Sequence, residues 1–340
     1  MSAWIGWLLA LAAGLAPQAG KASSPPPYHL IKEIAIGGEG GWDYILADAA
    51  SHRVYVSHAT KIVVADTETG AIVGEITDTA GVHGIALAPD LGRAFTSNGR
   101  ANTSTMVDLK TLAKIATVAT GPNPDSIRYF ADRKEVWTFN HSGGSITVFD
   151  PMTGAVAATI QVGGALEEAV EDPAAKRVYV NVEDANAIAV VDAAAHTVVA
   201  KWPVAACDGP TGLAFDAQNH LLIAACDGST AIVDSASGKT VAHFPTSSRV
   251  DGNGFDPASK LAFASSGLGV VTIAHEDAPD RFTVVQTLQT QPSGRTMFLD
   301  PVTHRVYVPV GTTTPGANGR PQVTAGSMKV LVFEPESGLR

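Results

Sequence analysis

Seven tetrapeptides of one pattern recur along the chain: Arg53-Val54-Tyr55-Val56, Arg93-Ala94-Phe95-Thr96, Glu135-Val136-Trp137-Thr138, Arg177-Val178-Tyr179-Val180, Leu221-Leu222-Ile223-Ala224, Leu261-Ala262-Phe263-Ala264 and Arg305-Val306-Tyr307-Val308. Ten positions ahead of each stand Asp43, His83, Asp125, Glu167, Thr211, Asp251 and Arg295. If the repeats close on themselves, equivalent positions meet around one opening. Four acids, a His and an Arg, with Glu168 beside Glu167, would then make a mostly negative mouth that focuses field on a cation or a basic partner. Neighbouring loops would add His58, Asn98, Arg100, Asn140, His141, Glu183 and Asp184 as a rim. Carboxylates with His are donors for Ca²⁺ or a transition metal, so a divalent cation at the mouth is one expectation. An organic ligand, a protein partner, and a water-filled channel whose polar groups cap one another are the others. No residue is assigned a catalytic role, since the sequence has no Gly-x-Ser-x-Gly elbow, His-Glu-x-x-His or phosphate-cradling Gly-Lys-Ser/Thr.

The elements that must position these residues follow from the repeat. Asp66, Asp108, Asp150, Asp192 and Asp234 are each 42 residues apart, and the next step lands on Glu276. Asp66-Thr67-Glu68-Thr69-Gly70, Asp150-Pro151-Met152-Thr153-Gly154 and Asp234-Ser235-Ala236-Ser237-Gly238 open on a side-chain acceptor and end on Gly, which is turn chemistry. The repeated aspartates are therefore read as turn formers. Each repeat holds four short strands, such as Gly84–Ala88, the Arg-Val-Tyr-Val strand, Ile146–Phe149 and Val156–Val162. Seven four-stranded units with no helical period predict an all-β, seven-bladed β-propeller over residues 30–338. The last repeat reaches the turn Glu334-Pro335-Glu336-Ser337-Gly338, and Leu30–Ile36 has the pattern of its missing fourth strand. The N-terminal strand is expected to close the ring and remove the open edges.

Arg177-Val178-Tyr179-Val180-Asn181, Ala189-Val190-Val191-Asp192 and Thr197-Val198-Val199-Ala200 resemble the YVTN repeat of exported seven-bladed propellers, the group of YncE-like periplasmic proteins. The family's Asn after the second strand is matched at Asn98 and Asn140, while His58, Val182, Cys226, Ser266 and Val310 stand at the other equivalent positions. The resemblance implies an exported binding or surface protein, and for some members DNA binding. A formal charge of −10 argues against nucleic acid as partner here. The expectation is a non-enzymatic, monomeric binding protein. The alternative, by analogy with other propellers, is a metal-assisted hydrolase, lactonase or lyase using the same carboxylate and His ring.

The remaining features concern location and the rim. With 45% hydrophobic and 16% charged residues the 340-residue chain can bury a large core. Ile5–Ala16 is nearly all apolar, too short to span a bilayer comfortably and of the length of a signal-peptide core, so residues 1–22 are read as an export signal with cleavage between Ala19 and Ala22. Residues 23–29 follow as a Pro/Ser-rich tether, and no later segment could cross a membrane. The destination is periplasmic or secreted. There, Cys207 and Cys226, both in Cys-Asp-Gly loops of the fifth blade, are expected to pair; free thiols or a soft-metal pair are the alternatives. The last repeat carries an extra Gly/Thr/Pro-rich stretch, Gly311–Ser327, read as a flap over the mouth or a tolerated insertion. His52, His220 and His304 fall in turns on the opposite face and are read as solvated.

Overall fold

The computed structural model describes Met1, residues 25–316 and residues 321–336. The expected signal segment and its cleavage region lie outside these. Seven antiparallel sheets of four strands form the ring expected of a β-propeller. The third blade is representative: Pro124–Phe130, Glu135–Asn140, Ser145–Phe149 and Val156–Gln161 run from the central channel outwards. The ring closes as its sequence pattern requires. Tyr28–Ala35 pairs with Lys329–Pro335 and completes the sheet that also holds Val306–Val310 and Phe298–Leu299. This strand starts two residues before the expected Leu30, at the end of the segment read as a tether. Tyr28 is buried, and its hydroxyl donates to the His304 carbonyl.

The tetrapeptides are the second strands, and a blade is covered on both faces by its neighbours, which is why all seven are apolar throughout their middle. Tyr55, Phe95, Trp137, Tyr179, Phe263 and Tyr307 are each almost fully buried. Between the third and fourth blades Phe130, Trp137, Phe139 and Ile146 pack against Leu166, Val178 and Val180. The closing strand contributes Tyr28 to the core between the sixth and seventh blades and Ile34 to that between the seventh and first. Burying such side chains is worth about 1.5–3 kcal/mol each, the main stabilising term of the ring.

The repeated aspartates do the work of turns. Asp66 Oδ1 accepts from the backbone N–H groups of Glu68 and Thr69 and from the Thr69 hydroxyl, and Asp108 and Asp150 repeat the arrangement. Those bonds hold the Asp66, Asp108 and Asp150 carboxyls below the usual range. On the same face His52 and His220 are exposed, whereas His304 is half-buried with its Nδ1 2.9 Å from the buried Asp256 of the preceding blade.

Candidate functional site

The first residues of each inner strand decide what faces the channel. Opposite Arg177–Val182, the strand Leu166–Asp172 has a register shift between Leu166 and Ala169, so Glu167 and Glu168 have no ladder partner. The same irregularity falls between Val82 and Ile85, between Pro124 and Ile127, and between Val250 and Gly252. A bulge takes consecutive residues out of strict alternation. His83, Asp125, Glu167 and Asp251 all sit in one. Hydrogen bonds from adjacent blades fix the backbone at His83, Glu167 and the ring residue Asp43: Tyr44 N–H donates to His83 O, Ser126 Oγ to Glu167 O at 2.8 Å, and Thr296 Oγ1 to Asp43 O at 2.7 Å.

All seven ring residues, Asp43, His83, Asp125, Glu167, Thr211, Asp251 and Arg295, line one cavity of about 300 Å³. Asn123, His141 and Glu183 complete its wall. Five carboxylates thus face one arginine and two histidines. Across the first three blades the charges are paired: His83 Nδ1 lies 2.5 Å from Asp43 Oδ2 and 2.9 Å from Asp125 Oδ1. Asp125 also accepts from the Tyr44 hydroxyl at 3.0 Å. Arg295 bonds Asp251, the Trp42 carbonyl and, at 3.4 Å, Asp43. On the far side His141 Nδ1 stands 2.8 Å from Glu167 Oε1, with Glu183 beside them.

The electrostatics follow this division. Burial works to lower the His83 imidazole, but Asp125 and Asp43 outweigh it and hold it up at about 10. Burial works to raise the Asp125 carboxyl, and the bond and charge of His83 outweigh that, so it lies below the usual range. Burial pushes Asp251 up to about 7; Arg295 opposes this while Asp43 and Asp125 add to it. Glu167 has the least relief: burial, then the charges of Asp125, Asp251, Glu183 and Asp43, push it up to about 11. Crowded carboxylates of this kind hold a proton until a cation replaces it.

Not every expected residue joins the mouth. Glu168 faces the channel below it, where it pairs with Arg128 and accepts from Ala169 N–H, and both border a second cavity of about 330 Å³. Burial raises its carboxyl, with Arg128 opposing. His58 is buried and clasps the entry loop of the first blade through the Gly37 and Gly41 carbonyls at 3.0 and 3.3 Å. Asn98 and Asn140 are fully buried and bond to hydroxyls of the adjacent strand, Thr103 with Thr105 and Ser145 with Thr147. Arg100 borders a side cleft with His83 and Asn123, and Asp184 holds the Gly163–Ala165 loop through Ala165 N–H. The described part of Gly311–Ser327 is a small hairpin, Thr313–Pro315 against Pro321–Val323, beside the Glu39–Gly41 loop; residues 317–320 of the expected flap lie outside the described residues. Cys207 and Cys226 form a disulfide with Cα atoms 5.3 Å apart.

Sequence reading missed Tyr44 and Asn123. Tyr44 directly follows a ring residue and could have been found from that adjacency. Asn123 adopts φ 52° in a Gly-Pro-Asn-Pro run, whose local composition signals a turn and not a site.

The fold and the site together define a seven-bladed β-propeller whose channel opens through a net-acidic polar ring. No family model matches the chain, and no curated protein matches it in sequence. Among solved structures it is similar to a chain of hydrazine synthase from Kuenenia stuttgartiensis, with a TM-score of 0.71 over 84% of this chain and 96% of that chain at 15% identity. At that identity the likeness concerns the fold alone.

Proposed function

We propose that this chain is an exported, non-enzymatic binding propeller of the YVTN-repeat kind that takes a cationic ligand, or a basic group of a protein partner, into the acidic mouth. The observation that carries the reading is the imbalance in one cavity of about 300 Å³: Asp43, Asp125, Glu167, Glu183 and Asp251 against Arg295, His83 and His141. Recessed charges of one sign between low-dielectric walls attract the opposite charge more strongly than the same charges on open surface. Export is supported by the apolar Ile5–Ala16 stretch and by the disulfide, a bond that persists in oxidising compartments.

The test is calorimetric titration of the chain lacking residues 1–22 with a diamine, a lysine-rich peptide and divalent metal ions at low ionic strength. One site that weakens as salt is added, and that is lost when Glu167→Gln and Asp251→Asn are combined, is expected. Absence of binding by all three probes, or unchanged binding by the double variant, would overturn the reading.

A second reading, metal-assisted hydrolysis, has one observation in its favour. Two sets of His and carboxylate groups at the mouth, Asp43 with His83 and Asp125, and His141 with Glu167 and Glu183, each place their donor atoms within 4.8 Å of one another. Turnover of an ester or lactone that needs added metal and is lost with His141→Gln would favour it over simple binding.

A further inference from the structure

We infer that His141, Glu167 and Glu183 form the binding site of a first-row divalent transition-metal ion in the wall of the mouth, and that the similar set Asp43, His83 and Asp125 does not. The inference rests on the proposed cation-binding role and names the cation and its place.

The two sets differ in what their donors already hold. His83 Nδ1 is held between Asp43 and Asp125. Asp43 is further engaged by Arg295, and Asp125 by the Tyr44 hydroxyl. A metal there would have to break the pairing of His83 with both carboxylates and compete with Arg295 and the Tyr44 hydroxyl. Glu167 is different: the residue is only 8% exposed, it lines the cavity, and no hydrogen bond reaches its carboxylate among the described residues. What stands against it is His141 Nδ1, itself a metal donor, at 2.8 Å. Glu183 faces the same space with no bonded partner for its carboxylate among the described residues.

The backbone of each of the three donors is tied to a neighbouring element. Glu167 is anchored through its carbonyl by Ser126 Oγ, and His141 through its N–H by the Asn123 carbonyl. Glu183 begins the short turn Glu183–Ala185, tied at its N–H to the Ala165 carbonyl. Metal–ligand bonds of about 2.0–2.2 Å place donors about 3–3.5 Å apart. His141 Nδ1 and Glu167 Oε1 are already 2.8 Å apart, so binding the ion would need only the Glu183 carboxylate, within 4.8 Å of both, to move closer. The disulfide loop backs this turn, since Gly209 N–H donates to Asn186 Oδ1 at 2.8 Å. One imidazole nitrogen and two carboxylates suit zinc, manganese or copper better than Ca²⁺, which favours an all-oxygen shell. Three protein donors leave coordination positions open toward the cavity.

The experiment is equilibrium dialysis of the chelator-treated chain lacking residues 1–22 against Zn²⁺, with Ca²⁺ as contrast, followed by electron paramagnetic resonance of the Cu²⁺-loaded protein. One Zn²⁺ per chain is expected, with Ca²⁺ bound at least about tenfold more weakly, and a Cu²⁺ signal split by a single imidazole nitrogen. His141→Gln, on the rim and unneeded for the core, and Glu167→Gln are each expected to weaken Zn²⁺ by more than about tenfold and His141→Gln to abolish the nitrogen splitting. His83→Gln is expected to retain both. Zn²⁺ binding lost with His83→Gln but kept with His141→Gln would overturn the assignment, as would Zn²⁺ bound equally by all variants. Binding of a diamine with none of Zn²⁺ would overturn it while leaving the cation-binding role intact. Failure of every cation would remove both.

Discussion

Replacing His83 by Asn tests whether the paired half of the mouth is held by a protonated imidazole. The ring is held at about 10 against an ordinary 6.5, after the carboxylates overcome the opposing effect of burial. A group whose pKa is raised on folding stabilises fully below its unfolded value and loses that contribution as pH rises through its folded value. The stabilisation is thus complete below about pH 6.5, declines above it and is gone beyond about pH 10. The loss cannot exceed about 1.4 kcal/mol per pH unit, or about 5 kcal/mol in all. The side chain is 26% exposed, so solvent screening takes a share. Between about pH 6 and pH 9 we expect wild type to lose about 2–3 kcal/mol relative to His83→Asn. Urea unfolding of both proteins across that range, followed by tryptophan fluorescence, supplies the difference curve. Glu167 and Asp251, also raised, weaken wild type in the same direction, which is why the comparison with the variant carries the result and the wild-type curve alone does not. A wild-type advantage that stays constant or grows from pH 6 to 9 would show that the imidazole is neutral and refute the reasoning.

Three further outcomes follow from the packing. Ile34, fully buried in the closing strand, should cost about 2–5 kcal/mol when changed to Ala, read as a lower urea midpoint with an unchanged slope if the ring still unfolds as one unit. Separating Cys207 from Cys226 by the double change to Ser should cost about 2–4 kcal/mol, checked by thermal unfolding against wild type with and without reductant; equal midpoints in all four samples would show that the bridge adds nothing. Gly99 lies so close to the clamped His83 that a Cβ would meet His83 Nε2 at 2.5 Å and Asn123 Oδ1 at 2.4 Å. Gly99→Ala should therefore destabilise by about 1–3 kcal/mol and shift the His83 imidazole resonance.

How much of this could be read beforehand depends on which residues a period controls. Asp43, His83, Asp125, Glu167, Thr211, Asp251 and Arg295 reach one cavity because equal chain distance from a buried strand becomes equal position in space once blades stack. The same logic misplaced His58, Asn98 and Asn140. They end strands covered on both faces, so their side chains are used within the blade or on its entry loop, and spacing cannot tell that direction from one facing solvent. Glu168 was misplaced for a different reason. The bulge between Leu166 and Ala169 sets its depth in the channel, and Arg128, on a neighbouring blade, holds it there; neither a bulge nor a partner forty residues away leaves a mark on the local pattern. His304 was read as solvated because its turn resembles those of His52 and His220, yet it reaches a buried aspartate, Asp256, on the preceding blade, whereas His52 meets only the exposed Glu68 of its own blade.

The mouth is divided because its cations are not spread evenly around the ring. Arg295 enters the seventh blade, and Asp43 lies on the connection by which the closing strand Tyr28–Ala35, the fourth strand of that blade, runs on into the first. Arg295 reaches across to Asp43 and the Trp42 carbonyl, and Thr296 donates to the Asp43 carbonyl. His83 extends the chain of opposite charges from Asp43 to Asp125. Those pairs tie the entry of the first blade to the blades on either side of it, and they use up the cations of that half. From the third blade to the fifth the cavity wall carries no arginine among the described residues, and the disulfide ties the entry loop of the fifth blade to its second strand. Glu167 and Glu183 are left there with His141 as their only facing base among the described residues of the cavity wall. A division of labour with a measurable consequence follows: changes at Arg295, Asp43 or His83 should register first as lost stability, and changes at His141, Glu167 or Glu183 first as lost cation binding.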